Sequence, residues 1–101
     1  MRVEIAASVK RRLRGLFGRE SFTGILALAP CNDVHTVGMR REIDIAFVSP
    51  SGVVLSAYRN VGPRHRVRCK GACATLERFS TQDPWFECGD RIDLSKKEAD
   101  V

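Results

Sequence analysis

The 101-residue sequence has no long apolar run, no internal repeat, no low-complexity tract and few aromatic residues. Its longest hydrophobic stretch, Ile25 to Ala29, is the length of a strand, whereas a membrane-spanning helix needs about 20 apolar residues. A helical span within these residues is therefore excluded. Arg2 precedes the basic cluster at Lys10, Arg11, Arg12 and Arg14 with no apolar leader core between them, so the expectation is a cytoplasmic protein. In a reducing compartment Cys31, Cys69, Cys73 and Cys88 remain thiols. Length also excludes a second domain. The expected unit is a single domain spanning 1–101, with its core at about 6–94 and a polar, frayed tail at 95–101.

What is present is ordinary globular composition, 44% hydrophobic and 29% charged, with a net charge of +5. Residues 1–20 hold six Lys/Arg against Glu4 and Glu20, so much of the excess is local to that segment. Ala6, Val9, Leu13, Leu16 and Phe17 fall at helical spacing, which predicts an amphipathic helix over 6–17 ended at Gly18. Thr23 to Ala29 reads as a strand stopped by Pro30. Ile43, Ile45 and Phe47 alternate with Asp44 and Ala46, and Ser49-Pro50-Ser51-Gly52 is a turn, so 43–48 and 53–58 form an antiparallel hairpin. Residues 59–68 read as a basic loop broken by Gly62-Pro63, and Ala72, Ala74 and Leu76 as another strand. A short second helix is expected from Ser80 or Thr81 through Phe86, then a last strand from Arg91 to Leu94. The predicted class is α+β, mostly β: a small barrel-like antiparallel or mixed sheet with an N-terminal helix and one short further helix.

Reactive side chains concentrate between Cys31 and Phe47. Cys31 and His35 lie four apart on an extended segment, and Asp44 lies on the neighbouring strand, so a catalytic set of His35 with Cys31 or Asp44 is conceivable. The same groups are explained without catalysis if His35 hydrogen-bonds Asp44 to lock the turn and Cys31 packs inside. A third reading makes His35, Thr36, Met39, Arg40 and Asp44 a ligand-binding surface, with cations for an anion and a thioether for apolar contact. Cys69, Cys73 and Cys88 are candidate zinc ligands. The spacing argues against that, because Cys-x-x-Cys knuckles are missing and residues four apart on a strand span about 13 Å. Nucleic acid is argued against as a partner, since only Tyr58 stands among the basic residues of the loop.

The ordered pieces Arg12 to Arg19, Pro30 to Arg40, Ile43 to Phe47, Gly52-Val53-Val54, Val61-Gly62-Pro63, Gly71-Ala72, Leu76-Glu77 and Gly89-Asp90 resemble a prokaryotic family known only as domain of unknown function one hundred and ninety-two. The Val-His-Thr-x-Gly-Met-Arg core at 34–40 carries most of the likeness. The resemblance implies a compact, largely β bacterial domain with a barrel-like core and no established activity. Arg41 and Glu42 stand where the family often has an apolar residue and proline. The leading expectation is an accessory module binding a small ligand, an anion or a protein partner, without a cofactor. The alternatives are a small hydrolase-like enzyme built on His35 and a structural zinc protein.

Overall fold

Among the described residues, three strand-length segments are buried at every position, the pattern of strands covered on both faces. The computed structural model describes residues 3–6 and 24–92. It contains β1 (Val3–Ala6), β2 (Ile25–Leu28), β3 (Asp33–His35), β4 (Ile43–Val48), β5 (Val54–Val61), β6 (Arg66–Arg68) and β7 (Ala74–Phe79). The fully buried segments are β2, β4 and β7. They occupy the middle of a five-stranded sheet ordered β1-β2-β7-β4-β5, in which β1 runs parallel to β2 and the other neighbours are antiparallel. β3 and β6 pair antiparallel as a separate two-stranded arm.

The alternation of side chains divides the core in two. On one face Leu26, Leu28, Ile43, Ile45, Phe47 and Phe79 form a cluster that is completed by Val34 of the arm, with Val67 packed against it. On the other face Ile25, Ala27, Ala46, Val48, Val54, Ala74 and Leu76 pack with Trp85 from the segment that follows β7. The Trp85 indole N–H donates to the Ile45 carbonyl at 3.0 Å, which fixes that segment onto β4.

The expected hairpin is present, with Ala46 opposite Ala57 and Phe47 opposite Ser56. Its turn closes through Gly52 N–H to the Ser49 carbonyl at 2.9 Å, and Gly52 adopts a φ of 84°, a conformation suited to glycine. β5 carries two extra residues relative to β4: Asp44 faces both Arg59 and Asn60, and Leu55 is inserted between the partners of Phe47 and Val48. Asn60 takes the left-handed conformation this requires, with φ at 56°.

Several expectations are corrected. The sheet is open and does not close into a barrel, because β1 and β5 stand at opposite ends and the arm lies over one face instead of joining them. No helix occurs among the described residues. The predicted turn of helix at 80–86 is irregular because its carbonyls are used elsewhere: the Arg59 guanidinium donates to those of Thr81 and Asp83, and that of Arg78 to Asp83 as well. The predicted helix at 6–17 lies outside the described residues apart from Ala6, which ends β1. The basic loop at 59–68 is in part strand, since β5 runs on to Val61 and β6 begins at Arg66. Of the last predicted strand, Arg91 and Ile92 fall among the described residues, where Arg91 bridges Val53 and the Ile92 N–H donates to the Gly52 carbonyl at 2.7 Å. The described residues contain no helix long and apolar enough to cross a membrane.

Candidate functional site

Thr36 immediately follows β3 and is completely buried, so its hydroxyl must find partners inside the protein. It finds them on the loop between β5 and β6. The hydroxyl donates to the Gly62 carbonyl at 2.7 Å and accepts from the His65 N–H at 2.8 Å. The Thr36 N–H donates to the His65 carbonyl at 2.8 Å, while its own carbonyl accepts from Met39 at 3.0 Å and Arg64 at 3.3 Å. One residue thus clamps the tight Val37-Gly38-Met39 turn to the Gly62-Pro63-Arg64-His65 loop. Gly38 has a φ of 86° and Arg64 a φ of 65°, so both segments are sharply bent where Thr36 holds them.

The clamp sets the outer surface of the arm. Val34 faces the core, so Asp33 and His35 face outward, and across the ladder Asp33 lies opposite Arg68 and His35 opposite Arg66. Arg66 makes a two-pronged ion pair with Asp33, Nε to Oδ1 at 3.0 Å and a terminal nitrogen to Oδ2 at 2.6 Å. That hydrogen bond holds the Asp33 carboxyl below the usual carboxylate range and raises the guanidinium of Arg66. Arg68 on the same strand and Arg64 and Lys70 on either side of it are also exposed. His65 turns Nδ1 toward the Gly62 and Pro63 carbonyls at 3.0 and 2.9 Å, so in the neutral ring Nδ1 carries the proton and Nε2 is the acceptor. Both histidines of the chain therefore lie on this arm, with Thr36 opposite His65 one step along from His35 and Arg66.

Asp44 does not join them. It sits on the opposite face of the sheet from Ile43 and Ile45, fully buried, where Oδ2 accepts from Arg78 Nε at 2.8 Å. Oδ1 accepts from the Ser80 hydroxyl at 2.8 Å and the Asn60 N–H at 2.9 Å. The Arg78 guanidinium also stacks over Trp85, 4.6 Å from the ring centroid. The lock expected between His35 and Asp44 is thus replaced by an Asp44–Arg78 pair, because strand alternation turns Asp44 away from the arm. Cys31 and His35 part for a related reason. Cys31 lies outside the regular strand and packs on the first cluster, whereas His35 is exposed on the outer side.

The remaining expected residues are also placed. Met39 is half-buried against the first cluster, and Arg40 is exposed at the bend that follows. Arg41 lies over the Phe79 ring, 4.1 Å from its centroid. Cys69 packs against the first cluster, Cys73 against the second, and Cys88 is exposed with its thiol toward the Leu55 carbonyl at 3.3 Å. These three cysteines do not converge, and no group of three or more His, Cys, Asp or Glu among the described residues could hold a metal ion. Sequence reasoning missed Arg78, and it read the β6 cations as part of a basic loop without placing them on a strand beside His35. A signal for the second was present, since residues 45–76 contain no Asp or Glu but do contain Arg59, Arg64, Arg66, Arg68 and Lys70.

Two solved structures resemble this fold. A protein of unknown function from Novosphingobium aromaticivorans superposes with a TM-score of 0.67 at 20% identity, over 77% of this chain and 62% of the other. A candidate transcription regulator from Sinorhizobium meliloti gives 0.66 at 16% identity, over 77% and 67%. At these identities the likeness is one of fold, and the chain spans about three fifths of the Novosphingobium protein. No curated protein matches the sequence. The profile of the DUF192 family, described as "Uncharacterized ACR", matches residues 1–82.

Proposed function

This chain belongs to the DUF192 family, and on that footing we propose that it is a binding module whose β3–β6 arm presents a cationic face to an anionic ligand or partner. One observation carries the reading: exposed cations are concentrated on the arm side of the sheet. On the arm side, the exposed cations Arg64, Arg66, Arg68 and Lys70 flank the carboxylate of Asp33. On the other side, the segment packed through Trp85 exposes Asp83, Glu87 and Asp90 together with Arg91, and the Arg59 guanidinium lies against its carbonyls, so the charges there largely offset. Such an arrangement makes the arm side the face that attracts anions.

The Thr36 clamp supports this reading, because binding energy is not spent on ordering a loop that is already bent and hydrogen-bonded. The two-pronged pair of Asp33 with Arg66 leaves the neighbouring Arg64, Arg68 and Lys70 without an ion pair among the described residues. His35 and His65 add ring nitrogens beside them, and Arg40 borders the turn.

The test is a titration of isotopically labelled protein with sodium tripolyphosphate, followed by amide resonances. Shifts should concentrate at 35–36 and 62–70, and the double variant Arg64→Ala/Arg68→Ala should weaken them severalfold at low salt. Absence of shifts at millimolar anion, or shifts centred on 83–91, would remove the proposal.

A further inference from the structure

We infer that the partner is single-stranded nucleic acid, docked lengthwise along β6; this rests on the anion-binding reading above and gives that site its substrate class. The first argument is the shape of the charge. Arg64, Arg66, Arg68 and Lys70 recur at every second residue, and Arg66 and Arg68 share the outer face of the arm about 6.6 Å apart along the strand. A compact anion is held by donors that converge on it, as at a nest of N–H groups or a guanidinium fork. Cations spaced along a strand instead match a ligand with charge repeated along its length.

The second argument is where the exposed apolar side chains lie. Val37, Leu55 and Tyr58 are the large hydrophobic residues left exposed among those described; Val37 and Leu55 flank the arm, and Tyr58 lies on the same side of the sheet. Val37 follows Thr36 in the clamped turn. Leu55 approaches the turn after β6, where a Cβ on Gly71 would lie 3.8 Å from its Cδ1. Tyr58 meets Phe47 of the cluster beneath the arm edge-on, with ring centroids 6.3 Å apart, so the tyrosine is held in place while 39% exposed. A positively charged track beside a fixed aromatic ring is the combination by which proteins hold single strands, phosphates on the cations and bases on the ring. In chain order Tyr58 stands apart from the later cations. The fold brings β5 and β6 to the same side of the core.

A membrane is the less suitable polyanion. The apolar residues are separated single side chains on strands and a turn, without the continuous apolar face by which a surface helix enters a bilayer. Double-stranded DNA would engage the cations and leave Tyr58 unused, since its bases are already stacked.

The experiment measures fluorescence anisotropy of labelled fifteen-nucleotide dT and rU strands at 50–200 mM salt, with vesicles containing phosphatidylserine and the tripolyphosphate titration run in parallel. With three to four phosphates neutralised, log Kobs should fall with log salt at a slope of about −2 to −3. Arg68→Glu, at an exposed position, should abolish most binding, and Tyr58→Ala should weaken it about tenfold while leaving the salt slope unchanged. Should Tyr58→Ala unfold the protein, Tyr58→Leu keeps the apolar contact with Phe47 and tests the ring alone. If tripolyphosphate moves the arm resonances but neither strand binds, the nucleic-acid inference falls and the anion-binding reading stands. Binding to vesicles without binding to strands overturns it in favour of lipid. If nothing binds, both fall.

Discussion

Replacing Asp44 by asparagine keeps the size and shape of the side chain and removes its charge, which isolates what the buried pair contributes. The amide oxygen can still accept from Ser80 and from the Asn60 N–H, now made by Oδ1 at 2.8 and 2.9 Å. The amide NH2, however, would point its hydrogens at the Nε–H of Arg78, whose side chain is 5% exposed. The guanidinium keeps its bond to the Asp83 carbonyl and its stacking on Trp85. Neither supplies a counter-charge. Removing one partner of a buried pair costs about 3–5 kcal/mol, and because two acceptor bonds survive the lower end applies. At about 4–8 °C per kcal/mol for a domain of this size, Tm should fall by at least about 12 °C. The assay is thermal and urea unfolding of the wild type, Asp44→Asn, Arg78→Met and the double variant Asp44→Leu/Arg78→Met. The double variant should lose less than the two single variants together, since no orphaned charge is left in it. A Tm within about 3 °C of wild type for Asp44→Asn, or simple additivity, would refute this account of the second core.

Other outcomes are expected. Thr36→Val should cost about 1–3 kcal/mol by orphaning the His65 N–H, while the Gly62 carbonyl keeps the His65 ring as a donor; hydrogen exchange of the arm amides should quicken before the rest of the sheet is affected. Gly52→Ala should destabilise by about 1–2 kcal/mol or more, because the new Cβ would collide with the Ile92 carbonyl at a position of positive φ; urea midpoints report it, and an unchanged midpoint would show that the 92 end yields freely. The depressed Asp33 carboxyl stabilises the fold above the ordinary carboxylate pKa and loses that contribution as pH falls through its lowered value. The stability difference between wild type and Asp33→Asn should therefore be flat from about pH 5 to 8 and shrink below about pH 4, by a small amount because the pair is exposed. The same variant should bind tripolyphosphate more tightly at low salt, since Arg66 is released from its internal partner.

The hairpin of β4 and β5 was legible because strict alternation and a Pro-Ser-Gly turn are local signals, and both lie within 43–58. The first core was readable from the same alternation. Less of the second core could be read, because its polar members meet only after folding: Asp44 and Arg78 are 34 positions apart. Asp44 looked chemically available in sequence because nothing near it is basic except Arg40 and Arg41, which precede the strand. β6 escaped notice for a different reason. Three residues with one apolar side chain between two arginines give almost no periodicity, and the strand exists because Thr36 fastens the loop ahead of it. The helical turn after Thr81 was a fair reading of Pro84 that failed because arginines from two strands hold its carbonyls.

The extra residues in β5 bear on how this protein behaves in a crowd of its own copies. A strand at the end of an open sheet offers backbone donors and acceptors that another chain can extend, which is how folded β proteins begin to aggregate. Here the ladder is interrupted at Leu55 and again at Arg59 and Asn60, within a strand of eight residues. An incoming strand finds no uninterrupted stretch long enough to seat more than a few bonds, and Arg59 places a charge beside the gap. The kinks that fit Asp44 into the interior also leave this end of the sheet a poor template for fibre growth.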